Sequence, residues 1–279
     1  MAVSTLKHKR RFNFRGSLSI PYLVFMAIFV ILPLLLIVYY AFTDDNGSFN
    51  WFSNWQVVLS DITNWKVIGS TLLISALTTA FCLLIAYPIA MILSNSKFNK
   101  NKILVYAFLL PMWINFVIRT LALKALINNM SNTIFGISLS ANAPYVAIVL
   151  GMVYDYLPFA ILPLYNQMLK MDKNQLEAAS DLGANPVQVF FKNIIPMTLP
   201  GIISASTMTF MPTMSSYVIV NYMSGNTKLI IGNLIKTQFD YTHYNLGSVL
   251  SLLMLIMISL FVVIEALSGK KNKQKGGIF

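Results

Sequence analysis

The chain alternates between long apolar runs that are poor in charge and shorter polar segments. Six runs are long enough to cross a bilayer, because a helix needs about 20 apolar residues to span the hydrocarbon core. They cover residues 21–42, 69–94, 103–127, 143–168, 194–222 and 246–267. Each run is continuous, whereas the strands of a membrane barrel give shorter alternating segments. The pattern therefore predicts an all-α, polytopic membrane protein with six transmembrane helices.

The composition supports this fold class and excludes an ordinary soluble domain. Hydrophobic residues make up 57% of the 279 positions and charged residues only 10%, against about 25% charged residues in a typical soluble domain. So few charges cannot build a solvated surface around a core, so lipid must cover much of the exterior. The only cysteine, Cys82, lies within an apolar run and closes no intrachain disulfide.

Lysine and arginine are distributed unevenly between alternate polar segments, and this predicts the orientation. One set of segments holds Lys7, Lys9, Arg10, Arg11, Arg15, Lys97, Lys100, Lys102, Lys170, Lys173, Lys192, Lys270, Lys271, Lys273 and Lys275. The other set holds only Lys66, Lys228 and Lys236. Basic loops stay in the cytoplasm, so both termini are expected there. We predict a cytoplasmic segment over residues 1–20, one membrane domain over 21–267 and a basic cytoplasmic tail over 268–279.

The sequence contains none of the short motifs that would give this chain catalytic chemistry of its own. A P-loop, HExxH, CxxC and GxSxG are all missing, and no metal site is predicted. The pair Tyr154–Asp155 leaves an intramembrane aspartyl protease as an alternative. That chemistry needs two carboxylates sharing a proton. The nearest candidate, Glu265, lies at the edge of the last run, and the GxGD motif is missing, so we expect a non-catalytic protein.

Arg119, Lys124 and Asp155 are charged residues well inside the apolar runs, where ionisable groups usually face a cavity or a partner. Asp155 is about a dozen residues into the fourth run, which is close to mid-membrane at 1.5 Å per residue. Asp155 could face a translocation path and attract a cationic amine, with Tyr154, Tyr156 and Trp113 adding cation–π contacts. Alternatively it could form a structural ion pair with Arg119 that holds two helices together. Both hypotheses stay open at this point.

The segment between the fourth and fifth runs carries the most specific motif. It contains Glu-Ala-Ala-Ser-Asp-Leu-Gly at 177–183 and Ile-Ile-Pro at 194–196. This spacing resembles the EAA loop of the permease subunits of binding-protein-dependent ABC importers. The family pattern has Ile where Asn193 stands and Leu where Ile195 stands, and both departures are mild. The resemblance implies a type I ABC importer permease fold with this loop as a cytoplasmic coupling helix.

Elementary helix rules fit that role. Residues 173–182 can form a short amphipathic helix, Gly183 can end it in the left-handed conformation, and Pro186 can begin a second helix. In the family this loop docks on the nucleotide-binding subunit. The resemblance therefore implies that the ATPase-coupling residues are Glu177, Ala178, Ala179 and Gly183.

Three further segments narrow the resemblance to the polyamine permeases of that family. They are residues 113–120, residues 154–165 and residues 229–236, which cover parts of the third run, the fourth run and the last outer loop. The implied substrate is spermidine or putrescine. The same machinery for ferric iron, sulfate or an opine remains an alternative, as does a secondary transporter without ATPase partners.

The resemblance also implies the partners. We expect a second permease subunit, as a heterodimer rather than a homodimer, two ATPase subunits that bind ATP and Mg²⁺, and an extracytoplasmic substrate-binding protein. No cofactor and no nucleic acid are expected on this chain. The implied location is the bacterial cytoplasmic membrane.

Overall fold

The computed structural model describes residues 20–44, 47–95 and 103–275, and the chain forms twelve helices within these ranges. They are α1 (Ile20–Ala41), α2 (Ser53–Ser60), α3 (Ile62–Ser94), α4 (Ile103–Leu109), α5 (Phe116–Phe135), α6 (Leu139–Asn142), α7 (Pro144–Met168), α8 (Lys173–Asp181), α9 (Pro186–Ser215), α10 (Tyr217–Ser224), α11 (Ile231–Asp240) and α12 (Tyr244–Lys275). The basic positions predicted at 7–15 and 97–102 lie outside the described residues.

Five of the helices in the described ranges are each long and apolar enough to cross a membrane: α1, α3, α7, α9 and α12. A sixth candidate is broken. Residues Ile103–Trp113, which include a 3₁₀ turn after α4, pass the same test only together with Phe116–Ile134 of α5, and the two parts meet at 96°. The count is therefore five spans, or six if the bent pair is one span.

The first break interrupts a run that the sequence predicts as one helix over 103–127. Pro111 lies in the 3₁₀ turn, and Ile114 and Asn115 then adopt extended ψ angles of 140° and 127°. The Asn115 side chain accepts a hydrogen bond from the Val117 backbone N–H at 2.9 Å, so it caps the new helix α5. The break therefore has a local cause in the sequence. The prediction of one helix missed it because hydropathy does not detect an N-cap residue within an apolar run.

A second break divides the run predicted over 194–222. Helix α9 ends at Ser215, Ser216 turns the backbone (ψ 55°), and α10 starts at Tyr217. Pro212 lies in the last turn of α9 and removes one backbone donor there. We refer to Ile114–Asn115 as the first break and to Ser216 as the second break.

The core is formed where α3, α7 and α9 pack against one another. Small side chains lie at these contacts and allow the helix backbones to approach closely. Cys82, Ala86 and Ala90 of α3, Ala160 of α7 and Ala205 of α9 are all fully buried. We call these three helices the rigid frame. The second break follows the end of α9 directly, and α5, which follows the first break, packs against α7.

The first and last long helices lie at one side of this frame. Helix α1 packs against α12, and α12 also contacts α9 and α11. The rings of Phe210 on α9 and Phe261 on α12 stack at 3.8 Å, and the Thr207 hydroxyl donates to the Glu265 carboxylate. Most large apolar side chains of α1 remain exposed within this single chain, so lipid or another subunit must cover them.

Candidate functional site

A cavity of about 650 Å³ lies between the two breaks, and we call it the central cavity. Its wall is formed by Met112, Trp113, Ile114, Asn115, Phe116, Arg119, Asp155, Tyr156, Phe159, Pro212, Ser215, Ser216, Tyr217, Val218 and Ile219. Both breaks and the middle of α7 therefore meet at one place. The volume of the central cavity is within the range of small-molecule sites, which are mostly apolar with a few precisely placed polar groups.

The charged residues of the cavity wall form an ion pair. Arg119 Nε donates to Asp155 Oδ1 at 2.5 Å, and Arg119 Nη2 donates to the Asp155 backbone carbonyl at 3.3 Å. Asp155 is 2% exposed and Arg119 8% exposed. The pair joins α5 to α7 away from solvent, so removing either partner would leave an uncompensated buried charge.

The remaining polar atoms of this pair are also satisfied. The Thr120 hydroxyl donates to Asp155 Oδ2 at 2.7 Å, so both carboxylate oxygens have partners. Arg119 Nη1 donates to the carbonyl of Pro111 at 2.8 Å, on the other side of the first break. The network therefore fixes the first break from both ends, and each oxygen of the Asp155 carboxylate accepts a hydrogen bond from a protein side chain.

Five aromatic side chains belong to the cavity wall: Trp113, Phe116, Tyr156, Phe159 and Tyr217. The Trp113 side chain is 84% exposed at the first break. The Tyr156 hydroxyl lies 2.6 Å from Ser216 Oγ, which joins α7 to the second break. Faces of Trp, Tyr and Phe attract ammonium groups through their ring quadrupoles. The wall can therefore receive a cation without a free carboxylate.

The structure brings together most of the residues singled out in the sequence. Trp113, Arg119, Asp155 and Tyr156 all line the central cavity. Tyr154 is not among the residues that line the cavity. Its ring centre lies 5.5 Å from the Arg119 guanidinium carbon, so Tyr154 packs against the ion pair instead.

Sequence reasoning missed Thr120 and Ser216, which complete the two hydrogen-bonded junctions. A signal for each was available, since Thr120 follows a charged residue in mid-run and Ser216 follows closely after Pro212 within a run. Neither signal is specific enough to assign a contact.

The loop at 177–183 forms a short helix, α8, followed by a sharp turn. Asp172 caps the start of α8 by accepting from the Asn174 N–H at 3.0 Å. Gly183 has φ +83°, which confirms the left-handed helix end that the sequence predicts. Pro186 then opens α9, where Asn185 and Gln188 form a capping box.

This loop presents its residues outward within the single chain. Glu177, Ala178 and Gly183 are exposed, and Ala179 is half-buried. Leu182 is 89% exposed, at the tip of the turn. The coupling role of these residues stays a prediction.

This fold is that of an ABC importer permease. A chain of a bacterial ABC transporter involved in the import of the acidic polysaccharide alginate matches with a TM-score of 0.74 at 14% identity, over 92% of this chain and 95% of the other. A chain of a bacterial alginate ABC transporter in complex with an alginate pentasaccharide-bound periplasmic protein matches with a TM-score of 0.70 at 16% identity, over 90% and 92%. No family model matches the sequence.

Sequence relatives specify the family. The spermidine/putrescine transport system permease protein PotB of Haemophilus influenzae is 32% identical over 262 residues, which cover 88% of this chain and 91% of the relative. PotB of Escherichia coli K12 is 31% identical over 253 residues, 86% and 92% of the two chains. The chain therefore belongs to the family of PotB permease proteins, and it is a multi-pass membrane subunit of an ABC importer.

Proposed function

We propose that this chain is the permease subunit that carries polyamines, such as spermidine and putrescine, through an ATP-driven importer. The observation that supports this most is the 32% identity to a spermidine/putrescine permease over 88% of the chain. The alternative cargoes, ferric iron, sulfate or an opine, become outcomes of the test below.

In this proposal the aromatic wall recognises the substrate. Trp113 and Tyr156 contact the ammonium groups through their ring faces, as does Phe159 on the same wall. The methylene segments of a polyamine suit the apolar part of the cavity. Asp155 acts by neutralising Arg119, because a free guanidinium in the wall would repel a polycation. The ion pair is thus structural, and it also sets the charge of the path.

The loop that contains α8, residues 173–186, couples this chain to the ATPase subunits. Glu177, Ala178, Ala179 and Gly183 dock on an ATPase subunit, where Leu182 fills an apolar pocket. ATP and Mg²⁺ bind to two such subunits, and the present chain performs no catalysis. The exposed position of α8 within the single chain supports this assignment.

The complete transporter in this proposal contains a second, different permease and an external binding protein. The second permease covers the apolar surfaces of this chain that lipid does not, and completes the path. The binding protein delivers the polyamine at the end of the bundle where α7 begins. Both termini lie in the cytoplasm, as the distribution of lysine and arginine predicts.

Uptake of radiolabelled spermidine tests the proposal in cells that lack other polyamine importers and express this chain with its partner subunits. We expect uptake by the wild type and none after deletion of residues 173–186, because the loop would no longer dock on the ATPase subunit. A secondary transporter needs no ATPase partner and would keep working without the loop. Thr237→Ala, on the exposed side of α11 and outside the loop, is the control and should transport normally. If the wild type imports no spermidine but imports iron, an opine or an anion, the polyamine assignment is wrong.

A further inference from the structure

The segment Leu229–Lys236, one of the three that resemble polyamine permeases, has no role in the mechanism described above. Its first part is deeply buried although it lies in a polar connection between two long helices. Ile230 and Ile231 are fully buried, and Asn233 is 5% exposed. The opposite side of α11, with Lys236, Thr237 and Asp240, is exposed. One turn, residues 230–233, is therefore inserted into the bundle, and we call it the 230–233 turn.

Hydrogen bonds fix this turn to two other helices. The backbone N–H of Ile231 donates to Thr71 Oγ1 of α3 at 2.9 Å. Asn233 Oδ1 accepts from the Ile230 N–H at 3.0 Å, and Asn233 Nδ2 donates to Asn221 Oδ1 of α10 at 2.6 Å. Side chains thus satisfy the N–H groups of Ile230 and Ile231, which a helix start would otherwise leave without partners. The turn is anchored to the rigid frame by α3.

Gly232 brings the turn directly onto the end of α9. A Cβ added there would lie 3.0 Å from the Ser215 carbonyl oxygen and 3.3 Å from its carbonyl carbon. Both are backbone atoms, so no side-chain rotation could relieve the contact. A Cβ at this position would therefore require the Ser215 backbone to shift by a few tenths of an ångström, and the backbone conformation of Gly232 is itself ordinary.

Ser215 is the last residue before the second break, so this contact reaches the central cavity. Ser215 and Ser216 line the cavity, and Ser216 Oγ is hydrogen-bonded to Tyr156. A displacement at Gly232 would move the Ser215 carbonyl and hence the wall that faces Tyr156. Thr71 and Gly232 are not themselves part of that wall.

We propose that the 230–233 turn is a brace that sets the shape of the second break, with Gly232, Asn233 and Thr71 as positioning residues for transport. The proposal rests on the proposed function, because its consequence is measured as polyamine movement. The brace connects the end of the bundle that faces outward in the predicted orientation to the cavity wall. A wall held in the wrong shape no longer closes on the substrate, so ATP hydrolysis proceeds without carrying it.

The test measures spermidine taken up per ATP hydrolysed by the complete transporter in proteoliposomes, with saturating binding protein. This ratio does not depend on how much transporter is assembled, so a purely structural defect leaves it unchanged. Gly232→Ala overpacks a backbone contact and is expected to lower the ratio about tenfold. Gly69→Ala is the matched control at the same end of the bundle, where a Cβ would meet nothing within 4 Å; it should keep the wild-type ratio.

A second pair of variants covers the case in which Gly232→Ala fails to assemble. Thr71→Val removes the acceptor for the Ile231 N–H at nearly constant volume, and a threefold fall in the ratio, roughly the loss of one hydrogen bond, is expected. Thr71→Ser keeps the hydroxyl and should restore the ratio. Unchanged ratios in Gly232→Ala and Thr71→Val, or lower amounts of transporter with an unchanged ratio, would overturn the brace. A wild type without uptake would instead count against the proposed function.

Discussion

The two breaks face the same cavity but are held by different chemistry. At the first break a guanidinium, a carboxylate and an asparagine cap fix the backbone, with Arg119 bonded to both Pro111 and Asp155. At the second break the contacts are neutral: the Ser216–Tyr156 hydrogen bond and the approach of Gly232 to Ser215. Breaking a buried ion pair is costly because it leaves uncompensated charges, whereas breaking a neutral hydrogen bond costs less free energy. The first break is therefore the fixed side of the cavity and the second break the adjustable side.

The largest expected effect comes from breaking the ion pair of the first break. Asp155→Ala leaves Arg119 buried and unpaired, and we expect a loss of about 3–5 kcal/mol in stability. The measurement is the thermal unfolding of the purified transporter, together with the amount of this chain in the membrane.

The control for that prediction removes both charges. The double variant Arg119→Met with Asp155→Leu fills the site with apolar side chains of similar size and should be much more stable than Asp155→Ala. A double variant that is even less stable than Asp155→Ala would show that the two residues contribute separately and not as a pair.

An intermediate effect is expected at the cap of the first break. Asn115→Ala removes the acceptor for the Val117 N–H and should destabilise α5 by about 1 kcal/mol. Asn115→Asp retains a capping oxygen and is the matched control. Unfolding temperatures of the two variants, measured side by side, separate the cap from other effects at this position. Equal values for both would mean that the cap does not hold the break.

The smallest effect on stability is expected at the second break. Ser216→Ala removes one neutral hydrogen bond and should cost about 0.5–1.5 kcal/mol. Combining it with Tyr156→Phe removes both hydroxyls and should cost no more than Ser216→Ala alone. If Ser216→Ala destabilised the chain as strongly as Asp155→Ala does, the contrast between a fixed side and an adjustable side would be lost.

Several helix ends were predictable because local chemistry specifies them. Helix α3 ends at Ser94 and α7 at Met168, the ends of the corresponding apolar runs. Asp172, Gly183 and Pro186 delimit the α8 loop through a cap, a left-handed turn and a helix start. In each case the information lies within a few residues of the feature.

The breaks and their contacts were not predictable in the same way. Ile114–Asn115 and Ser216 lie within long apolar runs, although the backbone leaves the helix at both places. The contact between Gly232 and Ser215 depends on how α11 returns to the bundle, which no local pattern encodes. The sequence left two alternatives for Asp155, and its pairing with Arg119 depends on how α5 packs against α7, which no local pattern encodes.

The central claim is that the cavity between the two breaks holds the substrate, and protection of an introduced cysteine tests it most directly. In a Cys82→Ala background, Ile114→Cys places a thiol on the cavity wall, and Thr237→Cys places one on the exposed side of α11 as a control. The complete transporter is labelled with a hydrophilic maleimide, with and without spermidine-loaded binding protein and ATP. We predict that spermidine slows labelling at position 114 and leaves position 237 unchanged. Labelling at position 114 that is unaffected by spermidine during active uptake would contradict the account.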